Sequence, residues 1–159
     1  MPTRVIVIGL GPIGSAVARQ LLARRNFRLV AAADIDPAKA AKLAPNGVHA
    51  AASIADVLAK AEMIFICVPG EPQVREIAFG KNGLVANARK GQTFVDMTTA
   101  TVEVNREVAA ALAAKGADFA DAPVARGVPA AENGTLAITV GASDAVFERI
   151  KPYLACMGT

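Results

Sequence analysis

Short apolar runs alternate along the chain with Ala-rich stretches whose apolar residues recur every three or four positions. Uninterrupted β-branched runs are typical of strands buried on both faces, and the 3.6-residue period is typical of amphipathic helices. The pattern predicts strands at Arg4–Ile8, Arg28–Ala33, Val48–Ala51, Met63–Val68, Gln92–Asp96, Ala117–Ala120 and Leu136–Val140. It predicts helices at Pro12–Arg24, Pro37 to about Ala44, Ser53–Lys60, Pro72–Phe79, Val102–Lys115, and after Ser143 with Val146, Phe147, Ile150 and Leu154 on one apolar stripe.

This alternation determines the predicted fold class. Strands that alternate with helices indicate an α/β fold, doubly wound, with a mainly parallel sheet and helices on both faces. A chain of 159 residues is the size of one domain, so we assign residues 1–159 to a single unit.

Composition and charge exclude several classes of protein. The net charge of +3 comes from scattered residues, and one Tyr, six Phe and no Trp leave little for stacking nucleic-acid bases. No apolar run reaches the roughly 18–20 residues of a membrane-spanning helix, and we expect a cytoplasmic protein. Cys67, Cys156 and His49 lie far apart in the sequence, so we expect no metal site and no Cys-His or Ser-His catalysis.

The strongest candidate site is the G-x-G-x-x-G sequence of Gly9, Leu10, Gly11, Pro12, Ile13 and Gly14, between the first strand and the first helix. In that context it predicts a Rossmann-type fold whose backbone approaches a dinucleotide pyrophosphate. Asp34 ends the second strand twenty residues after Gly14, where a carboxylate accepts hydrogen bonds from the adenosine ribose and repels a 2′-phosphate. No Arg or Lys occupies positions 35–38, so NAD is favoured over NADP. The alternative is that these are ordinary turn glycines and an ordinary acid at a strand end.

The ends of the fourth and fifth strands extend the candidate cleft. Val68-Pro69 follows one strand and Asp96-Met-Thr-Thr99 follows the other. Thr98 or Thr99 could hydrogen-bond the nicotinamide ribose, whereas Thr99 or Thr101 could instead cap the next helix. Spacing alone leaves both interpretations open.

Four segments resemble the β-hydroxyacid dehydrogenases, the family of 3-hydroxyisobutyrate dehydrogenase, tartronate semialdehyde reductase and 6-phosphogluconate dehydrogenase. They are Gly9–Gly14, Asp96–Thr99, Asp121-Ala-Pro-Val124 and Glu132-Asn-Gly-Thr-Leu136. The resemblance implies an NAD(P)-binding Rossmann domain that oxidises a small 3-hydroxy acid, or catalyses the reverse reduction, together with a helical domain that dimerises. It also implies that the backbone of Gly9–Gly14 holds the pyrophosphate, Asp34 the adenine ribose, and Val68, Pro69 and Thr98 the rest of the cofactor.

The substrate segment departs from the family pattern. Where the family carries Ser-Gly-Gly to hold the substrate carboxylate, this sequence has Ala125-Arg126-Gly127, and a glycine common three positions later is Ala130. The resemblance assigns residues 125–127 to a carboxylate-bearing substrate. Arg126 either clamps that carboxylate through paired hydrogen bonds or is a solvated loop residue.

The family's catalytic lysine has no counterpart among the lysines of this sequence, so we expect no catalytic residue in this chain and no efficient turnover by it alone. The helical domain is expected to be absent, either because the chain is part of a longer protein or because it is naturally short. Leu154 and Met157 would then lack cover and favour self-association. The alternatives to the dehydrogenase are a non-catalytic dinucleotide sensor and an imine-reducing relative.

Overall fold

Six parallel strands form one sheet in a computed structural model that describes residues 1–159, and helices cover both faces of this sheet. The strands are β1 Thr3–Ile8, β2 Phe27–Ala33, β3 His49–Ala50, β4 Met63–Ile66, β5 Thr93–Asp96, β6 Asp118–Asp121, and a separate pair, β7 Val124–Ala125 and β8 Ala137–Ile138. The helices are α1 Pro12–Leu22, α2 Pro37–Ala41, α3 Ile54–Leu58, α4 Glu71–Phe79, α5 Leu84–Asn87, α6 Val102–Ala113, α7 Gly127–Asn133 and α8 Asp144–Leu154. The predicted Rossmann-type α/β class is confirmed.

The central strands are apolar throughout because each of their faces packs against a layer of helices. Alternate residues point to opposite faces, so Val5 and Val7 of β1 join the core under α1 and α8, while Ile6 and Ile8 join the core under α4 and α6. Residues of β4 divide in the same way between the two cores. Burial on both faces therefore explains why these strands have no polar alternation.

The order of strands places a crevice at the middle of the sheet. The order is β3-β2-β1-β4-β5-β6. Strands β2 and β3 are added on one side of β1, and β4, β5 and β6 on its other side, so the direction of strand addition reverses between β1 and β4. Gly9 N–H donates to the Ala33 carbonyl (2.9 Å) and Cys67 N–H donates to the Ile8 carbonyl (2.8 Å), which extends the pairing just past the ends of β1 and β4. Ligands of open α/β sheets bind at such a reversal, outside the carboxyl ends of the strands.

The predicted strand at Leu136–Val140 is shorter than expected and lies outside the main sheet. Only Ala137–Ile138 is a strand, and it pairs antiparallel with Val124–Ala125 outside the main sheet. Two helices, α5 and α7, escaped prediction because each is short and lies in a Gly- and Asn-containing segment without a full apolar period. Leu136 is buried, whereas Ala137, Ile138 and Val140 are half-buried and Thr139 is exposed, so the apolar run marks only one fully buried residue.

The last helix also differs in detail from the predicted stripe. Val146, Ile150 and Leu154 are buried, but Phe147 is 37% exposed, with the Lys151 ammonium 5.8 Å from the centre of its ring. A stripe of positions three and four apart is wider than the buried face of this helix, so Phe147 lies at the edge of the stripe.

The expected uncovered apolar face at Leu154 and Met157 does not exist. Leu154 is 6% exposed and Met157 is fully buried in the core that contains Leu136. The backbone holds this segment too, since Leu136 N–H donates to the Met157 carbonyl (3.0 Å) and Ile138 N–H donates to the Thr159 carbonyl (2.8 Å). Residues 157–159 therefore pack as part of this domain.

Met157→Ala should destabilise the fold by about 2–5 kcal/mol, because truncation of a fully buried side chain leaves a cavity in the core. The matched control is Val102→Ala, at a helix position that is 64% exposed, with an expected change within about 0.5 kcal/mol. Urea unfolding followed by circular dichroism measures both. Equal, small changes in the two variants would contradict the packing of the last segment.

Candidate functional site

A cleft of about 1080 Å³ opens at the carboxyl ends of β1, β2, β4 and β5. Among the predicted site residues, those that line it are Gly9, Gly11, Pro12, Ile13, Gly14, Asp34, Val68, Pro69, Thr98 and Gly127. Leu10 does not line it: this side chain is 3% exposed and packs in the core, so Leu10 can offer only its backbone to the site. Ala125 and Arg126 are exposed beside the cleft without lining it.

Three glycines of the first loop meet three different spatial conditions. Gly9 has a φ of +90°, and a Cβ there would lie 2.0 Å from the Cys67 carbonyl oxygen. A Cβ on Gly14 would lie 2.0 Å from the Gly9 carbonyl oxygen, so no side chain fits between helix and loop. A Cβ on Gly11, in contrast, would meet no atom within 4 Å. Gly9 and Gly14 are therefore required by internal packing, whereas the bare backbone of Gly11 faces open space.

Backbone donors converge on that open space. The N–H groups of Gly11, Ile13 and Gly14 donate to no acceptor in the chain, whereas Ser15 N–H already donates to the Gly11 carbonyl (2.8 Å). Pro12 at the first helical position has no N–H to leave unpaired. Free N–H groups and the positive end of the helix dipole make the start of α1 suitable for a phosphate group.

Asp34 fixes the glycine loop from the end of β2. One carboxylate oxygen accepts from Leu10 N–H (2.7 Å) and the other accepts from Asp36 N–H (2.8 Å). Each oxygen retains a second lone pair and Asp34 lines the cleft, so the carboxylate can also accept a hydrogen bond from a hydroxyl group. Next to it Ile35 is 99% exposed, which places an uncovered apolar surface at this end of the cleft.

Thr98 joins the two loops that form the other half of the cleft. Its Oγ1 accepts from Val68 N–H (3.1 Å), and its own N–H donates to Oδ1 of Asp96 (2.9 Å). Thr98 is only 4% exposed, whereas Thr99 is exposed on the cleft wall. The helix cap belongs to Thr101, whose hydroxyl accepts from Val104 N–H (3.4 Å), so the capping alternative for Thr99 is wrong.

Two weakly acidic groups lie close together here, the buried carboxyl of Asp96 and the thiol of Cys67 on the cleft wall. Burial raises the pKa of Asp96 to about 6; hydrogen bonds from Thr98 oppose that rise and the negative charge of Asp121 adds to it. Burial, with the nearby Asp96 carboxylate, raises the pKa of the Cys67 thiol to about 12. Cys67 is therefore a neutral thiol at physiological pH and not an activated nucleophile.

Arg126 adopts a backbone conformation that is rare for a residue with a side chain. Its φ is +83°, and Gly127 follows with a φ of +72°, so the chain turns sharply into α7. The guanidinium donates to the Thr135 carbonyl (3.3 Å) and is otherwise exposed. A left-handed conformation at a non-glycine residue costs about 1–2 kcal/mol, and such residues cluster at functional sites.

Several lining residues escaped the sequence analysis. They come from α2, from the loop that enters α3, from α4 and from the turn after α4: Lys39, Ala51–Ile54, Gln73, Glu76, Ile77 and Gly80–Gly83. Lys39 stands one position beyond the window searched for cations, so the absence of Arg and Lys at 35–38 is not evidence against NADP. Residues 51–54 and 80–83 carry no motif; they reach the cleft only because β3 and α4 flank its ends.

This site defines a Rossmann-type dinucleotide-binding domain. Its three elements are unpaired N–H groups at a glycine loop, a carboxylate after β2 and a crevice where the strand order reverses.

None of the helices has the length and apolar character required to cross a bilayer.

Curated relatives of this chain are oxidoreductases. The chain is 38% identical over 151 residues to 2-hydroxy-3-oxopropionate reductase of Escherichia coli K12, covering 95% of the chain and 51% of the relative. It is 36% identical over 151 residues to 2-(hydroxymethyl)glutarate dehydrogenase of Eubacterium barkeri, with 95% and 50% coverage. Rat mitochondrial 3-hydroxyisobutyrate dehydrogenase is 34% identical over 157 residues, with 99% and 46% coverage. The chain spans about half the length of these relatives.

Solved structures show the same fold with both dinucleotides. Psf3 in complex with NADP⁺ and 2-OPP superposes with a TM-score of 0.90 at 31% identity, over 97% of this chain and 54% of Psf3. An imine reductase variant from Myxococcus stipitatus in complex with NAD⁺ gives a TM-score of 0.85 at 22% identity, over 99% and 53% of the two chains. The latter likeness shows the fold alone.

The family described as the NAD binding domain of 6-phosphogluconate dehydrogenase matches residues 4–159. This chain therefore belongs to that family of NAD-binding domains, and the resemblance to the β-hydroxyacid dehydrogenases is confirmed.

Gly14→Ala should destabilise the fold by at least about 2 kcal/mol, since its Cβ would collide with a backbone oxygen that no rotamer can move. Gly11→Ala has room and a φ of −64°, so its free energy of unfolding should change by less than about 0.5 kcal/mol. The same variant should weaken NADH binding more than about tenfold, because the methyl group occupies the space in front of the free N–H groups. Unfolding in urea and calorimetric titration with NADH measure the two effects; a Gly11→Ala protein with wild-type affinity would contradict the phosphate site.

Proposed function

We propose that this chain binds NAD in the cleft and serves as the cofactor-binding domain of an NAD-dependent β-hydroxyacid dehydrogenase. The observation that carries the proposal is the set of unpaired N–H groups at Gly11, Ile13 and Gly14, three residues that line the same cleft as the Asp34 carboxylate. A dinucleotide satisfies both halves of this arrangement, because it has a pyrophosphate for the donors and ribose hydroxyls for the acceptor.

The residues of the cleft divide among the parts of the cofactor. Residues 9–14 hold the pyrophosphate through their backbone, Asp34 accepts from the adenosine ribose, and Ile35 offers its exposed apolar surface to the adenine. Val68, Pro69 and Thr98 flank the nicotinamide ribose at the carboxyl ends of β4 and β5. When bound, the nicotinamide supplies or accepts the hydride, and the task of the chain is to orient it.

Preference for NAD over NADP rests on the charge of Asp34 and not on a shortage of cations. Lys39 lines the same end of the cleft and would attract a 2′-phosphate. Asp34, however, is fixed by two backbone N–H groups and cannot swing away from an approaching phosphate. The fixed carboxylate therefore outweighs the flexible lysine.

The hydroxyacid assignment is supported by the degree of similarity. Relatives at 34–38% identity are named for the oxidation or reduction of hydroxy acids, whereas the imine reductase neighbour at 22% carries information about the fold alone. Because the chain spans about half of these relatives, we assign the proton-transferring lysine and the homodimer contacts to a helical domain of the complete enzyme. Hydride transfer to or from a small 3-hydroxy acid is then the reaction of the complete enzyme.

The substrate carboxylate would lie at the turn into α7. Gly127 lines the cleft, and Arg126, the exposed residue directly before it, takes part in the same left-handed turn. Its single contact, with the Thr135 carbonyl at 3.3 Å, leaves other N–H donors free for a carboxylate. We propose that Arg126 takes the place of the serine hydroxyl that the family uses here.

Asp34→Asn should weaken NADH binding and shift the NADH-to-NADPH affinity ratio toward NADPH by about tenfold, since it removes the charge that repels the 2′-phosphate. Asp36→Asn is the matched control, because Asp36 carries the same charge two residues away and its side chain caps α2 by accepting from Ala38 N–H. Calorimetric titration of the purified chain with both cofactors measures the ratio. An unchanged ratio in Asp34→Asn would contradict the ribose assignment, and no binding of either cofactor to the wild type would contradict the proposed function.

Arg126→Gly should stabilise the fold by about 1 kcal/mol, because glycine adopts the left-handed conformation without strain. In the NADH-loaded chain it should also weaken 3-hydroxyisobutyrate binding about fivefold, without affecting the uncharged amide of that acid. Lys115→Gln, which removes an exposed cation at the opposite end of the sheet, is the control for net charge. Titrations followed by NMR measure the affinities. Equal affinity of wild type and Arg126→Gly for the acid would identify Arg126 as a solvated loop residue.

A further inference from the structure

The carboxyl group of Asp96 is buried beneath the cleft, and the proposed binding of the cofactor gives it no direct role. It is 1% exposed and stands at the carboxyl end of β5, in register with Asp121 at the end of β6. Its Oδ1 accepts from Thr98 N–H (2.9 Å), but its Oδ2 has no hydrogen-bond partner. A buried carboxylate with one unsatisfied oxygen is costly, so its presence at a strand end beneath a ligand cleft calls for an explanation.

A chain of hydrogen bonds connects this carboxyl group to the wall of the cleft. Oδ1 of Asp96 fixes the Thr98 backbone, and Oγ1 of Thr98 in turn accepts from Val68 N–H. Val68 and Thr98 both line the cleft, on loops that follow different strands. The position of one loop relative to the other thus depends on a hydrogen bond that is strong when its acceptor is ionised and weak when it is protonated.

We propose that Asp96 is a positioning residue, whose ionised carboxylate holds the Thr98–Val68 connection in the geometry that binds the dinucleotide, so that protonation of Asp96 weakens cofactor binding. This inference rests on the proposed function. It adds that binding releases a proton from a group that does not itself contact the cofactor.

The surroundings of Asp96 place its titration in an accessible range. Burial raises the pKa of the carboxyl to about 6, hydrogen bonds from Thr98 oppose the rise, and the negative charge of Asp121 adds to it. The other titratable group that faces it is Cys67, which is neutral in this range because burial raises the pKa of its thiol to about 12. A raised carboxyl pKa favours the protonated form in the folded apo chain, so Asp96 contributes less stability as the pH rises through about 6. The cofactor should favour the opposite, ionised form.

The test is calorimetric titration of the purified chain with NAD⁺ and with NADH between about pH 8 and about pH 5. If binding requires the ionised form of Asp96, the affinity for both cofactors should fall equally, by about tenfold, between pH 8 and pH 5. Binding near pH 6 should also release protons, which is detected by comparing the binding enthalpy in buffers of different ionisation enthalpy. Proton release is measured on the wild-type chain and needs no variant to fold. Affinity independent of pH, or a change confined to NAD⁺, whose nicotinamide ring carries a positive charge that NADH lacks, would overturn the inference.

Variants identify the titrating group. Asp96→Asn keeps a neutral acceptor oxygen for Thr98 N–H, so it should bind both cofactors at every pH with about the weakened affinity of the wild type near pH 5, and without proton release. Asp121→Asn removes the neighbouring negative charge and should move the wild-type profile to lower pH. His49→Gln is the control for the pair formed by His49 and Asp56, in which Nε2 of the imidazole lies 2.7 Å from Oδ2 of the carboxylate.

The outcomes separate the two proposals. Absence of binding at every pH would refute the cofactor function and this inference with it. Binding at about pH 8 with a wild-type profile retained in Asp96→Asn would refute only the positioning role. A profile abolished by His49→Gln would assign the pH dependence to the His49–Asp56 pair and would refute the positioning role as well.

Discussion

The close approach of two backbone segments at the centre of the sheet is the constraint on which the rest of the structure depends. Gly9 passes so near the carbonyl of Cys67 that a Cβ would lie 2.0 Å from its oxygen, and Gly14 passes equally near the carbonyl of Gly9. These two contacts bring α1 tightly against the ends of β1 and β4. They aim the start of α1, with its free N–H groups, into the crevice where the strand order reverses. A bulkier residue at either position would separate the helix from the sheet and close the phosphate site.

Around this contact, polar side chains at the strand ends act first on the protein's own backbone. Asp34 accepts from two N–H groups and Thr98 accepts from a third, so each shapes a loop before it can meet a ligand. A site held in this way is already formed without its ligand, because its geometry is set by hydrogen bonds to the backbone and not by the flexible side chains of the rim. Asp96 extends the same principle one layer deeper, since it acts on the cleft wall through Thr98.

Prediction from sequence succeeded where a local rule carries the information. The spacing from Gly9 to Gly14 and on to Asp34 located half of the cleft, because the glycine loop and the acid after the second strand belong to one βαβ unit. It failed for Lys39, residues 51–54 and residues 80–83, which meet at the cleft only through the order of strands. It also failed for the extent of the strand at Leu136–Val140, since an apolar run does not identify the strand with which it pairs.

The sequence by itself determined the class of fold, the first loop, the acid after β2 and the membership of a family of NAD-binding domains. Tertiary structure decided that Met157 is covered, that Phe147 is not, that Thr98 is buried while Thr99 is exposed, and that Asp96 has an oxygen without a partner. The physical reason is that helical and strand periods, turns and caps arise from neighbours within a few residues. Burial and pairing, and through them the pKa of a carboxyl group such as that of Asp96, depend instead on groups brought together from distant parts of the chain.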